Sequence, residues 1–382
     1  MRARYGAYFF AVALCAQPTL TDQQRLEKIR DTAVTTLFAQ PNYTCLETVI
    51  RQHEVNGVLQ VEDKLKLEVA IVNGKELFGW PGAASFEDLD VMSVIRGGLF
   101  DTGNFGIYPR MLFYGEAARF TYQGESAVNN RPAIRHNFVV PKEASGFHVQ
   151  RKDIDVTVGF HGAIYTDPTS SELMRLVAVA EGLPGELGLT EATDSVDYGR
   201  VSLGGGNFLL PLSSESIATG AKTLDRSNVQ FTKCARFSGE SRIILDADEE
   251  GAQTTSTIHR EVTLPKDATV QLAIGEISLE TGAVGDSVKA TLISDIKRGK
   301  EILVPKGATA IGRITKLSRY PSQYRLGVKF QQLTWPGGSA RLNAKLASVK
   351  AGKAELDPSG DLVVSRTTTT LTGLSLVWKV LP

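Results

Sequence analysis

The feature that most constrains this chain is a long succession of segments in which apolar and polar residues alternate. Leu65, Leu67, Val69 and Ile71 alternate with Lys64, Lys66 and Glu68. That period of two places the apolar set on one face of a strand. Asn73-Gly74 follows; both residue types accept the positive φ of a two-residue turn, so Lys75–Trp80 is predicted as the return strand of a hairpin. Ala118, Phe120 and Tyr122 form a second row, and Ile134, His136, Phe138 and Val140 a third. Phe147–Arg151, Val156–His161, Ala163–Thr166 and Leu173–Glu181 continue the pattern, then Ser195–Leu203, Phe208–Ile217 and Asn228–Phe237, with Gly204-Gly205-Gly206 as a tight turn. Together with Tyr43–Arg51 this predicts about ten or eleven antiparallel strands, and a strongly twisted sheet of that size tends to curl or close.

Two helical stretches accompany the strands. Thr21 or Asp22 caps a helix through Phe38, with Leu26, Ile29, Ala33 and Leu37 on one face, and Pro41 ends it. Ser85-Phe86-Glu87-Asp88 starts an insertion with Leu89, Met92 and Ile95 as its inner face; Gly97-Gly98 stops it, and Phe105–Leu112 is a second, irregular stretch containing Pro109. The predicted fold is mainly β: a curved antiparallel half-barrel with an N-terminal helix and a helical lid, followed by a small all-β barrel. The inward rows Leu65, Leu67, Val69, Ile71, Phe120, Tyr122 and Phe138 are the candidate lining of a ligand cavity.

Arg2 and Arg4 precede an apolar run from Ala7 to Ala16, the layout of a secretory signal over residues 1–16. The run is shorter than the ~20 apolar residues a membrane-spanning helix needs. Cys15 would permit a lipid anchor, but Leu14 stands before it where a lipoprotein signal wants Gly, Ala or Ser; cleavage to a soluble, exported, periplasmic or envelope-associated protein is the expectation. Removing the signal leaves Cys45 and Cys234 in the first and last strands of the sheet. In an oxidising compartment such a pair is expected to form a disulfide, the alternative being two buried thiols.

Charge is distributed unevenly. Residues 262–382 carry 17 Lys and Arg against 9 Asp and Glu, an excess that 25 against 33 in residues 1–261 cancels. The organisation expected is a sheet domain over residues 17–245, an acidic and polar linker over 246–261 and a barrel over 262–350. A tail over 351–382 then adds one strand or frays. Leu264-Pro265-Lys266-Asp267-Ala268-Thr269 returns as Val304-Pro305-Lys306-Gly307-Ala308-Thr309, each time before a predicted strand. The basic half either meets an anionic surface or envelope partner, or docks on its own acidic neighbour.

Gly162-Ala163-Ile164-Tyr165-Thr166-Asp167-Pro168 followed by Glu172-Leu173-Met174-Arg175-Leu176, with the N-terminal helix, curved sheet and lid, resembles the periplasmic lipoprotein-carrier (LolA-like) superfamily over residues 21–245. That resemblance implies a half-open barrel whose concave face holds acyl chains or other apolar ligands. No motif transfers individual contacts. Gly307 and Gly312-Arg313 give residues 262–350 a looser resemblance to the barrel of TrbI-type secretion-core proteins.

Chemistry is less legible. No phosphate-binding glycine spacing or Gly-x-Ser-x-Gly elbow occurs, and the histidines at 53, 136, 148, 161 and 259 lack zinc spacing. His136 and His148 fall on predicted neighbouring strands, Asp153 and Asp155 before a strand; a half-buried sheet histidine and solvated turn carboxylates explain them. Lys289, Arg313, Lys316, Arg325 and Lys329 alternate with apolar residues as on a barrel's wet face, so nucleic acid is not an expected partner. Neither an enzyme, a cofactor nor a metal is expected. The expectation is an exported envelope protein binding a lipid, lipoprotein or other apolar ligand. The alternative is a structural or secretion-associated scaffold with no small ligand.

Overall fold

The computed structural model describes residues 21–37, 39–82, 86, 99, 106–115, 117–151, 154–237 and 260–382. The signal segment, most of the predicted 85–105 insertion and residues 246–259 of the expected linker lie outside the described residues, while Arg260 and Glu261 belong to a strand. Helix α1 (Asp22–Leu37) begins with a reciprocal cap: Gln24 N donates to Thr21 Oγ1 at 3.3 Å and Thr21 N to Gln24 Oε1 at 2.9 Å. Ile29, Ala33 and Leu37 form its buried stripe.

The first sheet has eleven strands. They are β1 (Tyr43–Val55), β2 (Val58–Val72), β3 (Lys75–Gly79), β4 (Arg119–Val128), β5 (Arg131–Val140) and β6 (Phe147–Arg151). Then come β7 (Ile154–Thr166), β8 (Leu173–Glu181), β9 (Leu189–Leu203), β10 (Gly206–Gly220) and β11 (Leu224–Arg236). A second helix, α2 (Ile107–Phe113), precedes β4. The order β3-β2-β1-β11-β10-β9-β8-β7-β5-β4 leaves sequence order twice: β5 and β6 share one edge of β7, and the last strand slots beside the first. The curled sheet with its N-terminal helix is the half-barrel that the alternation predicts.

Turn chemistry places the hairpins. Asn73 and Gly74 have φ of 52° and 73°, as the β2–β3 turn requires. Residues 156–166, expected as two strands, run as one. Gly162 allows it: a Cβ there would lie 1.9 Å from the Val177 carbonyl oxygen on β8, so the residue marks a close approach rather than a break. The seam between β1 and β11 carries the Cys45–Cys234 disulfide, with Cα atoms 4.1 Å apart at an irregularity in the register.

Residues 260–382 build the second unit. Thr269–Ile274 pairs with Ser287–Leu292, then Thr309–Arg319, Gln323–Trp335, Leu362–Ser365 and Ala354–Leu356 in turn. On its other side Thr269–Ile274 pairs with Ser375–Val380, which pairs with Ala344–Ala351. The ring is therefore a barrel whose two end strands follow each other in the chain. Residues 351–382 supply several of its strands, because Leu376, Trp378 and Val380 alternate inward and Trp378 meets Phe330 edge-on at 5.5 Å. The internal echo is a pair of equivalent turns: Ala268 N bonds Pro265 O and Ala308 N bonds Pro305 O, each at 3.2 Å. Asp267 and Gly307 hold positive φ at the same place in each.

The barrel docks on the edge of β2 that β3 leaves uncovered. Lys66 N donates to Val284 O and Val284 N to Lys64 O, both at 2.8 Å. Lys66 Nζ reaches Asp286 Oδ1 at 2.6 Å, and the Arg313 guanidinium stands 5.3 Å over the Trp80 ring. Unpaired strand edges invite association, and here the chain covers one with its own second unit. Leu65, Leu67 and Val69 consequently belong to one continuous apolar core with Val284, Leu317 and Leu326. A second core lies under α1 and α2, around Phe138, Phe160, Leu176 and Val196.

Candidate functional site

Register places buried polar residues across the inward face of the sheet. Arg51 on β1 stands opposite Asp63 on β2 and Ser227 on β11; Ser227 stands opposite Ser216 on β10, and Ser216 opposite Asp194 on β9. All five are buried. Arg51 grips Asp63 through Nε at 2.8 Å and Nη2 at 2.5 Å, the bidentate geometry that makes such a pair strong. Asp194 lies against Ser216 and accepts a short hydrogen bond from Tyr108 Oη of α2; burial nevertheless pushes its carboxyl above the ordinary value. Tyr108 also packs edge-on against Phe147 and Phe160, so the helix is fastened by one polar and two aromatic contacts.

Further along the same face, Glu47 lies between Leu67 and Phe231. Burial, reinforced by the Glu76 charge, raises its pKa from 4.5 to about 8. Burial raises the Tyr43 and Tyr198 phenols likewise. Ser214 Oγ, Ser227 Oγ and Tyr198 Oη make no hydrogen bond among the described residues. A row of buried polar groups thus crosses a face on which Val49, Leu65, Leu67 and Val69 are apolar.

A cleft of about 600 Å³ opens where α1 ends, between that end, the β2–β3 hairpin and α2. Leu37, Pro41 and Ile71 give it apolar surface, and Gln40, Asn42 and Asn73 polar surface. Gly74, Gly106, Arg110 and Tyr114 complete the lining. Its walls are fixed by bonds that do not involve the opening. Gln40 Nε2 donates to Leu209 O at 2.5 Å, Tyr43 Oη to Gln40 Oε1 at 3.3 Å, and Asn73 N to Asn42 Oδ1 at 2.9 Å. The Arg110 guanidinium rests on the hairpin turn, with Nη2 1.8 Å from where a Cβ on Gly74 would be. Gly74 itself has φ of 73°, in the left-handed region that favours glycine.

The residues predicted to line a cavity fall into separate environments. Leu65, Leu67 and Val69 are sealed between sheet and barrel, Phe120 and Phe138 belong with the core under the helices, and Tyr122 meets His136 edge-on. Ile71 alone among them lines the cleft. His136 on β5 is buried opposite Ile164 of β7, whereas His148 on β6 stands opposite Thr157 of the same strand with Asp155 at 3.6 Å, so the two do not meet. Among the described residues no group of three His, Cys, Asp or Glu is arranged to hold a metal. Sequence reasoning missed Arg110 and the polar row. The signal for the row was present as charged residues at inward positions of β1, where Cys45, Glu47, Val49 and Arg51 share a face.

No protein-family model matches the chain, and no curated protein does. Among solved structures it is similar to a LolA-superfamily protein from Nitrosomonas europaea, with 9% identity and a TM-score of 0.30 over 59% of this chain and 98% of that one. It is similar to an outer-membrane lipoprotein-sorting protein domain from Vibrio parahaemolyticus, with 10% identity and a TM-score of 0.34 over 57% and 94%. A chain of the Pseudomonas aeruginosa MucA/MucB complex aligns over 94% of this chain and 93% of that one, with 13% identity and a TM-score of 0.20. At such scores the likeness carries no argument about activity.

Proposed function

We propose that this chain is an exported cell-envelope protein that binds a lipid or another acyl-bearing ligand at the cleft between α1, the β2–β3 hairpin and α2. The observation that carries the reading is the cleft itself. At about 600 Å³ it falls in the range of small-ligand sites, ~300–1,000 Å³. Leu37, Pro41 and Ile71 offer apolar contact beside a fixed polar rim. The disulfide between β1 and β11 supports an oxidising, extracytoplasmic location. The basic excess of residues 262–382 fits docking to an envelope partner. The role is binding rather than catalysis: Asp63 is held by Arg51 and Asp194 by Tyr108, which leaves neither placed as a free acid or base.

A scaffold role without a small ligand is the second reading. It is favoured by the packing of Leu65, Leu67 and Val69 against the barrel, which fills space that a carrier would keep open. Native mass spectrometry of protein purified from the exported fraction separates the two. Co-purifying lipid, or binding of a fluorescent acyl probe that Ile71→Trp weakens by about tenfold, supports the first. Absence of both leaves the scaffold.

A further inference from the structure

We infer that the cleft selects amphiphiles bearing an anionic head group, with Arg110 as the residue that pairs the head. This rests on the reading of the cleft as a ligand site. Among the described lining residues Arg110 carries the one formal charge, and none of these is a carboxylate. Four arginines of the sheet engage carboxylates, Arg51 with Asp63, Arg175 with Asp197, Arg200 with Glu172 and Arg226 with Glu215, while Arg135 and Arg151 donate to the neutral oxygens of Asn137 and Leu187. Arg110 makes no ion pair among the described residues, although the first unit is acidic overall.

Its position is prepared. The guanidinium lies on the Gly74 turn, and the helix that carries it is fastened to the sheet by Tyr108 and Asp194. Arg110 is exposed, and its planar guanidinium offers paired N–H donors to a carboxylate or a phosphate. Leu37, Pro41, Ile71 and the exposed Tyr114 ring then face the chain of the ligand. Glu76 stands opposite Ile71 on β3 without lining the cleft. Its charge works against an anion at this distance, so the selectivity is smaller than Arg110 alone would give.

The test uses the full mature chain and a matched set of pyrene-labelled probes: a long-chain fatty acid, its methyl ester and the monoalkyl phosphate of the same length. Wild type is expected to bind the acid or the phosphate about tenfold tighter than the ester. The tighter of the two anions identifies the head. Arg110→Met is expected to remove that gap by bringing the acid and the phosphate to the affinity of the ester, and Glu76→Gln to widen it. Equal binding of acid, phosphate and ester by wild type, or an undiminished gap in Arg110→Met, overturns the inference and leaves the lipid reading intact. No binding of any probe overturns both.

Discussion

Glu47 is 2% exposed, in the first strand, with a folded-state pKa of about 8 against an ordinary 4.5. A carboxyl whose pKa is raised in the folded state holds its proton more tightly there than in the unfolded chain. Unfolding therefore releases a proton between about pH 4.5 and 8, and stability falls as pH rises through that window. Glu47→Gln, neutral at every pH, is expected to be more stable than wild type at pH 8 by on the order of 3 kcal/mol, and nearly equal to it at pH 4.5. Urea unfolding at the two pH values reads the difference; parallel curves would show that Glu47 titrates as an exposed group. Arg51 and Asp63 behave oppositely, because each needs the other. Asp63→Ala leaves a guanidinium buried and is expected to cost about 3–5 kcal/mol, whereas Arg51→Met combined with Asp63→Leu recovers most of it.

At the scale of elements, α2 is short and owes its place to what holds it. Tyr108→Phe keeps the ring packing and deletes the hydrogen bond to Asp194; the expected loss is about 1–3 kcal/mol, with faster amide exchange over α2 than over β9. The seam between β1 and β11 has a covalent tie as well as backbone pairing. Denatured, unreduced protein is expected to yield no reactive thiol from Cys45 or Cys234, and their joint replacement by alanine to lower stability by about 2–5 kcal/mol. The strands and their hairpins were legible because a period of two and an Asn-Gly turn are local signals. The disulfide was legible because both cysteines fell on recognisable strands in a chain whose N-terminus has the layout of a secretory signal. The polar row was not, since Asp63 and Arg51 become partners only once the β1–β2 register is known. The cleft was less legible still: its walls come from separated segments around Leu37, Asn73 and Arg110, and no pattern within any one of them points to the others.

The whole molecule is less divided than its charge distribution suggests. A boundary near residue 260 separates two sheets, yet one apolar core runs through both. Gly285, with φ of 95°, makes the join possible: a Cβ there would stand 2.2 Å from Lys66 O. Wild type is expected to melt in one calorimetric transition. Gly285→Leu should split it in two by unseating the barrel, and a single transition in that variant would mean that the units are coupled elsewhere. The place of β11 beside β1 has a further consequence, for the order in which the protein can come into being. As the chain emerges N-terminus first, β1, β2 and β3 can pair among themselves at once, but the partner of β1 arrives only with Cys234, 189 residues after Cys45. Until then the nascent hairpin carries an open edge on the β1 side, and on the β2 side an edge that only the still later Val284 will cover. Closing so long an interval is slow for a sheet of distant pairings, so maturation of this protein has a built-in waiting period in which an escort for exposed strands matters most.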